Sequence, residues 1–163
     1  MDKSKSTIIR LLSDDAKLPI SSVATAIGKG EEETSKLIKE LEDEGIIVKY
    51  SAIINTNKLE DNRVDALIEV KVTPQKTKGF DQLAQEIYCF DEVKSVYLMS
   101  GAYDLAVFIE GKSLKEVAMF VSEKLSAMNS VIGTATHFIL KKYKQNGVCF
   151  EDAAESKRLA VNP

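Results

Sequence analysis

The chain has no tryptophan, one histidine (His137) and two cysteines (Cys89 and Cys149) among 163 residues. A single histidine with no matched Cys or carboxylate cluster makes neither a metal site nor a triad, so His137 is expected to be structural. No metal ligand and no catalytic residue is assigned. The two cysteines lie far apart, without the spacing of a zinc or redox pair, and read as reduced thiols of a cytosolic chain. Gly-rich phosphate loops, Cys-x-x-Cys and the nucleophile elbow are all missing, so no cofactor is expected and enzymatic chemistry has no foothold. No run approaches the ~18 apolar residues that a membrane span needs. Met1 to Arg10 is polar rather than a signal sequence, so the expectation is a cytoplasmic protein without a membrane partner. Charge of one sign is also scarce: the formal net charge of -3 exerts no overall pull towards nucleic acid.

What is present divides into two patterns, together an α+β chain. In residues 1–54, Ile8, Ile9, Leu11 and Leu12 stripe a first helix that ends at Ser13-Asp14-Asp15. Pro19 stops any continuation, and Ser21 is placed to cap a second helix carrying Val23, Ala24 and Ile27. Gly28 ends it, and a third helix runs from about Glu31 to Glu44 with Thr34, Leu37, Ile38 and Leu41 on one face. Gly45 closes that helix, and Ile46 to Ile54 reads as a strand. Two short helices about a Gly-containing turn, followed by a strand, are the outline of a winged helix-turn-helix.

Residues 55–64 are polar and turn-rich and read as a linker. From 65 to 144 the period changes. Ala66, Ile68, Val70 and Val72 alternate along a strand that Pro74 and Gly79 end, and Phe80, Leu83, Ala84 and Ile87 form a helical face. Val93 to Met99 and Leu105 to Ile109 are two strands joined by Ser100-Gly101-Ala102-Tyr103-Asp104. Leu114 to Leu125 is a second amphipathic helix, and Val131 to Leu140 a fourth strand. The order βαββαβ predicts a ferredoxin-like sandwich. Two helices cover one face of such a sheet. Leu67, Val96, Leu98, Ala106, Phe108, Phe138 and Leu140 are read on the other, and an uncovered apolar face points to a homodimer. Residues 145–163 form a tail of alternating charge around Val148, Phe150, Leu159 and Val161, suited to docking on a neighbouring subunit or to disorder.

Three stretches, Leu41-Glu42-Asp43-Glu44-Gly45-Ile46-Ile47 with Tyr50, Ser100-Gly101-Ala102-Tyr103-Asp104-Leu105, and Thr134-Ala135-Thr136, lie in order on these elements. On them the chain resembles the Lrp/AsnC (feast/famine) family of transcriptional regulators from Ile8 to about Lys144. The resemblance implies regulation of transcription through double-stranded DNA, dimers that assemble further into octamers, and an amino-acid or related small effector. That effector is expected near the Gly-x-x-Asp loop, between dimers. The effector-binding set expected on this basis is Ser100, Gly101, Tyr103, Asp104, Thr134 and Thr136. Its chemistry suits the role: Gly101 permits close backbone approach and a positive φ, Asp104 accepts hydrogen bonds from an ammonium group, and the threonines offer hydroxyls. Equally, Gly101 and Asp104 serve a plain hairpin turn.

The third helix departs from a usual DNA reader. Residues 29–44 hold Lys29, Lys36 and Lys39 against Glu31, Glu32, Glu33, Glu40, Glu42, Asp43 and Glu44, a net charge of -4. Acids in the first turn favour the helix dipole but sit badly among phosphates. DNA contacts are therefore assigned to Ser35, Lys36 and Lys39 one turn on, with Lys49 beyond the helix. The acidic helix keeps open a ligand-sensing interaction protein that has lost DNA. A further alternative is an enzyme similar to the siroheme decarboxylases that share this two-domain plan, although they use histidines and arginines near the sheet and this chain has one histidine.

Overall fold

A computed structural model describes residues 2–59, 63–73 and 79–150. Pro74 and the tail residues from Glu151 onwards lie outside the described residues, as does part of the 55–64 linker. The chain forms two compact units, 1–54 and 55–163.

The first unit is built from α1 (Lys3–Asp14), α2 (Ile20–Ile27) and α3 (Glu31–Asp43). Ile8, Val23 and Leu41, one from each helix, are fully buried together, with Leu11, Leu37, Ile38 and Ile47 packed around them. Asp2 caps α1 by accepting from the Ser4 N–H. α2 begins two residues earlier than expected: Pro19 holds the N-cap position, and Ser21 lies inside the first turn, where its carbonyl accepts the Thr25 hydroxyl. Pre-set φ makes proline suitable for a helix entry.

The turns after α2 and α3 share one construction. Gly28 has φ +67°, its N–H donates to Thr25 O and that of Lys29 to Ala24 O. Gly45 has φ +69°, its N–H donates to Glu42 O and that of Ile46 to Leu41 O. Each is a Schellman ending that satisfies the carbonyls a helix C-terminus leaves open. These two glycines fix where α3 starts and where the chain leaves it.

The segment Ile46–Ile54, read from sequence as a strand, pairs with no strand among the described residues. Its alternation suits a strand, but a strand needs a neighbour for its N–H and C=O groups, and none lies beside it in this unit. Val48 stays 86% exposed.

The second unit contains β1 (Val64–Val72), α4 (Phe80–Tyr88), β2 (Val93–Leu98), β3 (Leu105–Gly111), α5 (Leu114–Leu125, with a π-helical second half from Phe120) and β4 (Val131–Phe138). The sheet order is β2-β3-β1-β4 and every neighbouring pair is antiparallel. Ala66, Ile68, Val70 and Val72 face the helices and pack with Leu83, Ile87, Leu105, Val107, Ile109, Val117, Phe120 and Leu125. A short hairpin follows, β5 (Lys144–Gln145) and β6 (Val148–Cys149), turned by Asn146 and Gly147 at φ +47° and +86°.

The open face of the sheet differs from the one expected. Register shifts between Val93 and Ser95, where β2 carries one extra residue opposite β3. Such a bulge swaps the alternation beyond it. Val96 and Leu98 thus pair with Val107 and Leu105 on the helix side, and Ser95 and Tyr97 turn to the open side. Phe138 pairs with Ala66 and also belongs to the helix side, while Leu140 lies past the end of β4. Leu67, Ala106 and Phe108 are on the open face as expected, joined by Tyr97, whose ring meets Phe108 edge-on at 5.9 Å. Polar contacts flank this apolar centre: the ion pairs Lys142 to Asp65 at 2.7 Å and Arg63 to Glu110 at 2.9 Å, and the His137 ring nitrogen 3.3 Å from the Glu69 carboxylate.

Gly28→Ala isolates the backbone cost of the helix-turn-helix turn, because an added Cβ would have nothing within 4 Å. The left-handed conformation alone should then cost about 1–2 kcal/mol, and Gly28→Asn less. Urea unfolding of the two variants checks the ranking.

Candidate functional site

Two places gather the candidate residues: the outward side of α3, and the end of the sheet at which β3 begins.

On α3 the helical period places Glu32, Lys36, Lys39 and Asp43 along one stripe, opposite the buried Thr34 and Leu41. Ser35 borders the stripe, its hydroxyl donating to Glu31 O at 2.8 Å. Lys36 Nζ lies 2.9 Å from Glu32 and Lys39 Nζ 3.2 Å from Asp43. The four side chains of the stripe therefore sum to zero charge. Behind it, Lys29 pairs with Glu33, and Lys5 of α1 reaches Glu44 at 2.8 Å and Glu40 at 3.0 Å. Hydrogen bonds to Glu44 and Glu40 raise the Lys5 ammonium above its ordinary range. Tyr50 donates to Glu42 at 2.8 Å, and burial, followed by that bond, raises its phenol. Lys49 is exposed beyond the helix.

This arrangement explains how so acidic a helix is stable. Three glutamates in its first turn meet the positive end of the helix dipole, and most of the remaining acids hold a lysine or tyrosine. The fully buried Thr34 sets the start by donating to Gly30 O at 2.8 Å. Sequence reasoning treated Thr34 as a face residue only; its hydroxyl also fastens the first turn. The pairs at Lys36 and Lys39 are exposed i,i+4 contacts worth about 0.3–0.5 kcal/mol each. A phosphate at contact distance can displace such a pair, so the lysines are held back weakly.

At the sheet end, Ser100–Tyr103 form the loop between β2 and β3. Its base is tied by backbone: Met99 N–H donates to Asp104 O at 2.8 Å, and Asp104 N–H to Val70 O at 3.1 Å. The Asp104 carboxylate is engaged as well, its Oδ2 accepting the Val72 N–H at 2.8 Å. Gly101 does not use a positive φ, contrary to the expectation for it, although open space surrounds the place of its missing Cβ. Nothing within the protein therefore requires glycine at this position.

Thr134 and Thr136 stand opposite Val70 and Ile68, on the helix side of β4. Strand β1 separates them from Asp104, a distance of about 10 Å at the usual strand spacing. One protomer therefore brings Ser100, Gly101, Tyr103 and Asp104 together but does not bring the threonines to them. Three exposed apolar residues stand at this end: Leu98, which sequence reasoning placed on the open face instead, and Met99 and Ile132, which it did not single out; they are 60%, 40% and 67% exposed. Ile132 is the extra residue of a bulge, since Lys71 pairs with Gly133 and Val72 with Val131. Bulges leave no reliable mark in a single sequence. Among the described residues no group of three metal-binding side chains occurs, and no helix is long and apolar enough to cross a membrane.

Residues 65–149 match the family model described as the Lrp/AsnC ligand binding domain, and residues 1–48 match a winged helix-turn-helix DNA-binding model. The chain is 44% identical, over its whole length and 99% of the relative, to the HTH-type transcriptional regulator YugG of Bacillus subtilis. Its fold is similar to that of the leucine response regulatory protein LrpA of Mycobacterium tuberculosis (TM-score 0.75, 19% identity, covering 93% of this chain and 100% of that one). It is also similar to the regulator NMB0573 of Neisseria meningitidis, solved as an L-Met complex (TM-score 0.70, 21% identity, 89% and 93%).

Glu32→Gln and Asp43→Asn each free one lysine of the stripe. Both should tighten binding of duplex DNA and steepen the dependence of log K on log salt by about 0.9 per phosphate gained. Unchanged affinity and unchanged slope in both variants would show that the two ion pairs do not hold the lysines back from DNA.

Proposed function

The chain belongs to the Lrp/AsnC family of HTH-type transcriptional regulators, and from that premise we propose that it is a cytoplasmic, effector-responsive regulator working as a homodimer or as an octamer built from four dimers. The family consists of regulators rather than enzymes, which sets aside the decarboxylase alternative. The observation that carries the reading is the union, on one chain, of a helix-turn-helix with an exposed α3 stripe and a ligand-binding sandwich with an accessible loop at one sheet end.

Ser35, Lys36 and Lys39 meet the duplex, with Lys49 alongside. Each protomer neutralises few phosphates, so affinity comes from several α3 helices engaging at once. The effector is a free amino acid or a close relative, as the L-Met complex of the Neisseria protein suggests. It sits around Ser100, Gly101 and Tyr103 with Asp104 at the base. Thr134 and Thr136 lie a strand away, so a neighbouring protomer completes the pocket. The exposed Leu98, Met99 and Ile132 support such a contact, because apolar side chains at a loop rim gain from being covered.

The dimer forms across the open sheet face around Leu67, Tyr97 and Phe108. Phe108→Asp should convert the assembly to smaller species in sedimentation velocity without loss of the helical signal. If the wild-type chain sediments as a monomer, the dimer is wrong.

For DNA, the test is a fluorescence-anisotropy titration against duplex from upstream of the protein's own gene, at two salt concentrations, beside a scrambled duplex. Tight, selective, salt-weakened binding is expected. Binding that fails to discriminate at either salt would favour the second reading, a ligand-sensing assembly protein, for which the self-neutralised α3 stripe is the supporting observation.

A further inference from the structure

We propose that Asp104 is a positioning residue: it holds the Ser100–Tyr103 loop against the end of β1, and it acts on the effector only through that loop. The effector part rests on the proposed function; the latch itself does not.

The argument starts from the backbone. β1 ends beside a bulge, where β4 inserts Ile132 between the partners of Lys71 and Val72. On its other side β1 pairs with β3 only as far as Val70, opposite Leu105. The N–H of Val72, a residue only 7% exposed, thus lies beyond the last rung of that ladder. Buried amides need a partner. The Asp104 carboxylate supplies it, with Oδ2 at 2.8 Å. The same residue uses both of its main-chain groups nearby, donating to Val70 O and accepting from Met99 N–H. Three hydrogen bonds from one residue therefore fasten the base of the loop to β1 and to the end of β2.

The neighbouring turn is fixed in the same way, since Thr73 N–H donates to Ser130 O just before β4. The end of β1, the start of β3 and the start of β4 thus form one tied corner, with the loop projecting from it. A carboxylate bonded to an N–H at the base is already in use as an acceptor, and a hydrogen bond of this charged kind is stronger than a neutral one. Asparagine keeps one carbonyl oxygen for the Val72 N–H, while it loses the charge and exchanges the second oxygen for an NH2 donor. An aspartate that touched an effector ammonium would need the charge; an aspartate that positions the loop needs only the acceptor.

The experiment compares wild type, Asp104→Asn and Asp104→Ala on the full chain. Hydrogen exchange resolved over Val70–Thr73 and over Met99–Tyr103 reads the latch without any ligand. The alanine variant should lose on the order of tenfold or more protection in both segments, and the asparagine variant should keep it. A thermal-shift screen with a panel of the common L-amino acids reads the effector response. The response, with its midpoint concentration, should survive in Asp104→Asn and vanish in Asp104→Ala. Unchanged exchange in Asp104→Ala would overturn the latch. Loss of response in Asp104→Asn with protection retained would overturn the positioning role in favour of a direct charged contact. A normal response in Asp104→Ala would reduce Asp104 to stability alone and also overturn it. If no amino acid stabilises the wild type, the effector reading fails, and the exchange comparison still decides the latch.

Discussion

With β3 on one side and β4 on the other, β1 has its main-chain groups engaged along most of its length, and its side chains must alternate between two environments. Ala66, Ile68, Val70 and Val72 go to the helices; Asp65, Leu67, Glu69 and Lys71 go to the open face. A slip of one residue would place two acids and a lysine in the core, so burial pins the register firmly. That register decides which residues of β3 and β4 share each face. It also decides where the β2–β3 loop emerges, because the loop starts where β3 meets the last rungs of β1. The corner built by Asp104, Val72, Thr73 and Ser130 is the outcome of this constraint at one end of one strand.

The first unit is governed by a different balance. α3 is anchored by Leu37, Ile38 and Leu41 in the core, and its charged outer face gains further stability through the helix termini and its own i,i+4 pairs. α3 takes that route, with acids in its first turn and lysines answered by acids one turn away. The same pairs consume the charge that phosphates would use. Their small individual strength reconciles the two demands: exposed pairs help the helix slightly and yield to a stronger anion array.

Much of the architecture was legible in the residues. Periods of 3.6 and 2 located α3, α4, β1 and β3 closely, and Gly28 and Gly45 marked the ends of α2 and α3 because a left-handed residue there suits glycine. The acidic excess of α3 was legible too, whereas its pairing of Lys36 with Glu32 and Lys39 with Asp43 emerged only from the structure. The faces of β2 were not. One extra residue at the start of that strand exchanged Val96 and Leu98 for Ser95 and Tyr97, and the energetic difference between a bulged and a regular strand lies in its neighbours rather than in its own residues. Ile46–Ile54 failed for a related reason: alternation describes a side-chain pattern, whereas a strand also requires another strand alongside.

The candidate effector site divides in the same manner. Its loop, Ser100 to Asp104, was legible as a link between two strands, and only the resemblance to the family marked it as a site, since glycine and aspartate there equally serve a hairpin turn. Tertiary structure alone decided that Thr134 and Thr136 lie across β1 on the helix side, and that the Asp104 carboxylate meets the Val72 N–H. Those facts depend on strand order and on where two ladders end. By itself the sequence determined the helices, the four strands of the main sheet and their order, because these follow from interactions within a few residues. Only the folded sheet decided which distant groups meet, because a hydrogen bond between residues 72 and 104 exists only once register has brought them together.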